Sequence, residues 1–223
     1  MTTRERPILF SGAMVRAILE GRKTQTRRVV KQQPPEAELG VTLEIKFSDH
    51  TGKWHMGTPR GAKPVVCSSG FLCPYGVPGD RLWVRETFYR TCFTESSRGP
   101  GSCVYRADGA ACGERGWSSS IHMPRWASRL TLEIKDVRVE RLQAISEADA
   151  IAEGVECEVY ERGVPISGCW WNYQSRCWSG AFPDEPRGSF RTLWDSINGK
   201  AHPWASNPWC WVVEFERVKA VTP

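Results

Sequence analysis

Residues 18–29 read ILEGRKTQTRRV. A short apolar turn ends at Gly21. Four cations follow within seven residues, Arg22, Lys23, Arg27 and Arg28, with Lys31 just beyond and Thr24, Gln25 and Thr26 between them. Three kinds of chemistry fit such a run. It can be a solvated face, as charge runs usually are. It can form a rim that holds phosphates. Or it can crowd a lysine so that like charges and burial push its pKa below the ordinary value of about 10.4, which turns an ammonium into a base.

The elements around this run are legible from periodicity. PILF, residues 7–10, reads as a short strand. Ser11 is placed to cap a helix in which Met14, Val15, Ile18 and Leu19 recur at helical spacing, and Gly21 stops it. The basic run therefore leaves a helix and enters an extended segment through Val29 and Val30. Pro78-Gly79-Asp80 signals a turn, and RLWVR after it alternates as a strand. RLTLEIKDVRVERL, residues 129–142, is the clearest strand. Leu130, Leu132 and Ile134 share one side, with a bend or bulge expected at Asp136. Ser146 with Asp149 three residues later marks a capping box, and Gly154 closes that helix. Ser189 opens another helix, with Phe190, Leu193, Trp194 and Ile197 on one face. NPWCWVVEFERV ends the pattern as a strand whose Trp209, Trp211, Val213 and Phe215 line one side.

Between these elements lie two stretches that read as insertions, approximately 32–72 and 156–187. The first is rich in Pro and Gly, with a hairpin expected around VTLEIKF; the second is rich in Trp and Cys. Residues 91–120 read as an irregular loop. Mixed short strands with three modest helices predict an α+β chain: one domain over 1–223, a small mixed β-barrel decorated by short helices.

Composition narrows the function classes. The net charge of +5 permits a nucleic-acid partner without requiring one. Eleven tryptophans are mostly packing, with a minority available as a stacking platform for a base. No long apolar run argues for a membrane span, and MTTRERPILF lacks the apolar segment of a secretory signal, so a cytoplasmic location is expected. Nine cysteines without any C-x-x-C pair argue for buried thiols rather than a disulfide framework. A zinc held by Cys67 and Cys73 with His50 and His55 is the alternative, set against ordinary thiols. No cofactor, metal or obligate protein partner is otherwise expected.

The order of motifs resembles the ASCH domain family, a branch of the PUA-like superfamily. Gly21-Arg22-Lys23-Thr24, Thr26, Arg28, Gly79-Asp80 and Val212-Val213-Glu214-Phe215 carry the likeness. SGAMVRAILEGRKTQTRRV, PGDRLWVRE, IHMPRWASR and LWDSING are similar to stretches of larger ASCH-like proteins encoded by bacteriophages. The resemblance implies a PUA-like barrel. A more distant likeness, to small bacterial amidohydrolases that act on N4-acetylcytidine, implies a catalytic trio at Lys23, Thr26 and Glu153.

Such a trio makes chemical sense. An amide carbonyl needs a nucleophile, a base and a stabiliser for the developing oxyanion. Thr26 would supply the hydroxyl and a neutral Lys23 the base, with Arg22, Arg27 and Arg28 as the like charges that depress its pKa. Glu153 would protonate the leaving nitrogen or position water. Two other functions use the same residues. A module that binds RNA, DNA or a modified base would use Arg22, Arg27, Arg28, Lys31 and Arg85 for phosphates, and Trp83 and Trp126 for stacking. A ribonuclease would use Lys23 and the arginines to stabilise a phosphorane. His122 reads as a structural histidine, and Arg85-Glu86 as either an ion pair or a pocket lining.

Overall fold

A computed structural model describes residues 3–31, 33, 44–48, 53–57, 70, 72–91, 102–113, 116–159, 165–178 and 185–218. The strands in chain order are β1 (Glu5–Leu9), β2 (Gln25–Val29), β3 (Glu44–Ser48), β4 (Lys53–Gly57), β5 (Arg81–Arg85), β6 (Phe88–Arg90), β7 (Cys103–Tyr105), β8 (Thr131–Arg141), β9 (Cys157–Val159), β10 (Pro165–Asn172), β11 (Cys177–Trp178) and β12 (Trp209–Arg217). Three α-helices lie among the described residues: α1 (Gly12–Leu19), α2 (Glu147–Ala152) and α3 (Pro186–Asn198).

The central sheet has five strands in the order β1-β5-β8-β12-β2. Only β1 and β5 run parallel; the other neighbours are antiparallel. The expected barrel is not formed, because β1 and β2 remain edges with no ladder between them. The sheet curls far enough that Arg28 Nη2 on β2 donates to Leu9 O on β1 at 2.6 Å. One long side chain thus bridges the gap that a closed barrel would fill with backbone pairs. Closure depends on strand tilt and stagger, which alternation alone does not encode.

One face of the sheet builds the main core. Leu82, Leu132, Ile134 and Val213 are almost wholly buried there with Trp211 and Phe215. Burying each such large apolar side chain stabilises by about 1.5–3 kcal/mol. Trp209, Trp211, Val213 and Phe215 share this core as the alternation of β12 requires. The centre of the opposite face is also covered. Cys210 packs there with Leu142, Ile145, Phe190 and Trp194, beneath α2 and α3.

Local details follow the sequence with identifiable adjustments. Ser11 caps α1, its Oγ accepting from Met14 N, and Gly21 turns out of it at φ +76°. β1 begins two residues before PILF because its parallel register with β5 recruits Glu5 and Arg6. The bulge in β8 falls at Lys135, where the register to β12 skips between Ile134 and Asp136. Ser146 Oγ accepts from Asp149 N, but the Asp149 carboxylate turns to Arg27 and Arg138 rather than back to the cap. α3 starts at Pro186, not Ser189; proline suits the first turn of a helix, and Ser189 Oγ donates to Trp171 O inside it. β3 and β4 form the hairpin expected in the first insertion, and β9, β10 and β11 form a small sheet in the second. Within 91–120 the described part is more regular than expected: β7 pairs with β6, and a 3-10 turn follows over Arg106–Asp108. No described helix is long and apolar enough to cross a membrane.

Candidate functional site

Lys23 lies where the chain passes from α1 into β2. Its own backbone is fixed by N–H donation to Ala17 O at 3.0 Å. Thr24 N donates to Ala152 O at 2.9 Å, so this turn is tied to the end of α2. Lys23 and Glu153 face one another as an isolated antiparallel bridge across 130 residues of sequence. Gly154 is what allows the approach. It sits at φ +83°, and a Cβ there would lie 2.8 Å from Lys23 Cβ and 3.1 Å from Ala17 Cβ. Only glycine combines that dihedral with that clearance.

The side chains repeat the contact. Lys23 Nζ donates to Glu153 Oε2 at 2.9 Å and to Glu153 O at 2.8 Å, with its side chain fully buried. Phe10 lies 5.7 Å from Nζ, measured to the ring centroid. Burial pushes the Lys23 pKa down, and the nearby guanidinium groups of Arg28 and Arg27 push the same way. The charge and hydrogen bond of Glu153 oppose them, and the balance stays below the ordinary lysine value. Burial, more than the crowd of arginines, thus weakens the proton's hold. Arg22 takes no part in this: its guanidinium turns outward to Glu20 Oε2 and Gly154 O.

β2 is polar yet buried, and its alternation divides the motif. Arg27 lies opposite Val212 and Thr26 opposite Val213. Arg27 therefore shares a face with Arg138 and Glu140 of β8, while Thr26 and Arg28 share the face of the main core. Arg27 contacts Glu153 Oε1 at 3.4 Å, Asp149 Oδ2 at 2.9 Å and Glu140 Oε2 at 3.1 Å. Arg138 binds Glu140, the other oxygen of Asp149, Gln25 Oε1 and Glu214. Burial raises the Asp149 pKa, but the Arg27 hydrogen bond and charge and the Arg138 charge outweigh it and hold the carboxyl below its usual range. With no side-chain exposure, Arg27 is a structural strut and not part of a phosphate rim.

Thr26 opens onto a cavity of about 190 Å³ along the outer edge of β2. Glu153 and Arg28 share its wall with Tyr75; Phe190, Trp194 and Ile197 of α3 form the apolar side. Among the described residues, the Thr26 hydroxyl takes no hydrogen bond, and Lys23 Nζ is directed to Glu153 instead. A second cavity of similar size, beside Gly154 and Tyr173, also reaches Glu153. Burial pushes the Tyr173 phenol up to about 12, so it remains neutral while accepting from Glu156 N.

The remaining expected binding residues lie elsewhere. Trp83 and Arg85 are on β5, three places from β2 in the strand order, and neither lines the Thr26 cavity. Arg85 stacks on Trp83, and Arg90 on Trp126, beside the satellite core of Phe88 and Met123. Glu86 pairs with Arg129 and not with Arg85. His122 is exposed. Lys31 lines a neighbouring cavity with Tyr75. His50 and Cys67 lie outside the described residues, and among those described no group of three or more His, Cys, Asp or Glu is arranged to hold a metal ion.

Sequence reasoning missed Asp149, Glu140, Arg138 and Glu214 as supports of Glu153, and Tyr75 and Ile197 as cavity walls. One signal was present. The second half of β8 reads VRVER, where Arg138 and Glu140 alternate with core valines and so share the face opposite the main core. No family model, curated protein or solved structure matches the chain.

Proposed function

We propose that the chain is a hydrolase that removes an acyl group from a modified pyrimidine nucleoside, with N4-acetylcytidine as the type substrate and an ASCH-type, PUA-like fold as its scaffold. The observation that carries this reading is the meeting of three segments. Thr26 from β2 and Glu153 from the end of α2 share one base-sized cavity wall, and a buried lysine of lowered pKa stands directly behind the glutamate.

In this reading the pyrimidine ring lies against Trp194 and Phe190, and the acyl carbonyl meets Thr26. Oγ1 of Thr26 attacks the carbonyl carbon and gives its proton to the Lys23–Glu153 pair. The pair passes that proton to the exocyclic nitrogen as the C–N bond breaks. Water then attacks the acyl-threonine, releases the carboxylate product and restores the hydroxyl. Arg27 holds Glu153 in place, and Arg28, which shares the cavity wall with Thr26, is the cation that would face the developing oxyanion.

Mass spectrometry of N4-acetylcytidine and of acetylated RNA after incubation tests it. The wild type should release the acyl group; Lys23→Ala and Thr26→Ala should not. Thr26→Ala removes only the hydroxyl and a methyl group, so it reports on chemistry even if Lys23→Ala fails to fold. Turnover by Thr26→Ala at the wild-type rate would refute the nucleophile, and shortened RNA with intact acetyl groups would favour a ribonuclease.

A second reading, a modified-base binding module, is favoured by one contact. Lys23 Nζ is satisfied by Glu153 and does not touch Thr26. Saturable binding of the modified nucleoside without turnover would select it.

A further inference from the structure

The Thr26–Glu153 cavity does not stand alone. It shares Val29 and Tyr75 with a second cavity of about 260 Å³, lined by Lys31. That cavity shares Leu72 with a third, of about 400 Å³, which lies against β1 and the β3–β4 hairpin. The three therefore form one trough. It runs from the edge of β2, past Tyr75, to Arg4, Arg6, Phe47 and Trp54.

Its chemistry is consistent along its length. Arg28, Lys31, Arg6 and Arg4 follow one another, and no carboxylate among the described residues pairs with any of them. Among the described residues Arg6 reaches only Pro74 O, at 3.4 Å, and its Nε is buried with no partner there. Asp80 is the one carboxylate among the described residues lining the third cavity, and it accepts from the backbone N–H groups of Arg4 and Val77. Aromatic faces are interleaved with the cations. Phe47 is 43% exposed and packs on Trp54 at 5.3 Å between ring centroids, while Tyr75 stands at the junction of the first two cavities. Cations that follow a backbone, alternating with rings on which bases stack, are what a single strand of nucleic acid requires.

We propose that the modified base is presented to the Thr26–Glu153 cavity on single-stranded RNA. The flanking nucleotides lie along the trough, with phosphates on Lys31, Arg6 and Arg4 and a base stacked on Phe47. This rests on the nucleoside reading of the cavity and names the form in which the nucleoside arrives.

The test is fluorescence anisotropy with a labelled RNA of about eight nucleotides, the length an extended trough of this kind accommodates. It is read from about 50 to 200 mM salt beside acyl release from the free nucleoside and from the same oligomer. The oligomer should bind far more tightly than the nucleoside. Its salt slope should shrink by about 0.7 for each cation removed in Arg4→Ala, Arg6→Ala and Lys31→Ala. Phe47→Ala should weaken binding about tenfold, whereas Arg106→Ala, at a cation that lines none of the three cavities, should leave it unchanged. Equal affinity for nucleoside and oligomer, or a salt slope untouched by the triple substitution, would overturn the proposal and leave nucleoside hydrolysis standing. Trough-dependent RNA binding with no acyl release from either substrate would support the trough and refute the hydrolase. Preference for DNA of the same sequence over RNA would refute the commitment to RNA.

Discussion

Replacing Glu153 by Gln tests how Lys23 is held. The two side chains are 0% and 4% exposed, and among the described residues the carboxylate is the only charge Nζ touches. The variant keeps the backbone carbonyl at 2.8 Å and a neutral amide in place of the carboxylate. Removing one member of a buried pair strands the other, at a cost of about 3–5 kcal/mol. The buried lysine has an escape, which is to lose its proton. Burial already sets its folded pKa below the unfolded value, and Glu153 is the group that raises it, so Glu153→Gln lowers it further. Between the variant's folded pKa and that of the wild type, the unfolded variant binds more protons than the folded one. Its stability therefore rises with pH, while the wild type's does not. The gap between the two should close by about 1.4 kcal/mol per pH unit in that window and be constant on either side. Urea denaturation across roughly pH 6–10 measures it. Lys23→Met combined with Glu153→Gln should recover most of the loss, since a neutral pair of similar volume strands no charge. A gap that stays the same at every pH, or a double variant no better than Glu153→Gln alone, would show that Lys23 is not the buried cation described here.

Two further outcomes follow from the same junction. Gly21→Ala should lose only about 1–2 kcal/mol, for a left-handed residue with open space around it. Gly154→Ala adds the collision with Lys23 Cβ and should lose about 1–3 kcal/mol more, so equal denaturation midpoints for the two would contradict the close approach. Asp149, whose folded pKa is lowered, contributes stability that is complete above its unfolded value of about 3.9 and is lost as pH falls through the folded one. Asp149→Asn should accordingly be less stable than the wild type at neutral pH and converge with it in acid; a difference that persists at low pH would mean the arginines do not act through this carboxylate.

Much of the scaffold was legible because it is periodic. Ser11, Val15, Ile18 and Gly21 specify α1, and the alternation of Leu130, Leu132 and Ile134 specifies β8. The site was legible only in its parts. Lys23, Thr26 and Glu153 could be named, but the Lys23–Glu153 bridge spans 130 residues and leaves no local mark. Arg27 looked like rim because a buried arginine and an exposed one are written alike; its three carboxylate partners come from β8 and α2. Arg85 and Trp83 looked available for a ligand because strand order, which moves them three places from β2, is a property of the whole sheet.

The position of β12 has a consequence for the newly made chain. Among the described strands β2 has one neighbour in its sheet, and that neighbour is β12. A ribosome that has just released Val29 must add 180 more residues before it reaches Trp209, which at about 5–20 residues per second takes roughly 9–36 s. For that interval the edge that carries Thr26 and Arg27 has no ladder to join, and Lys23 has no Glu153 until the chain has passed α2. The site comes into being late and all at once, so a nascent chain interrupted before β12 would carry every residue of the trio and lack the sheet that holds them.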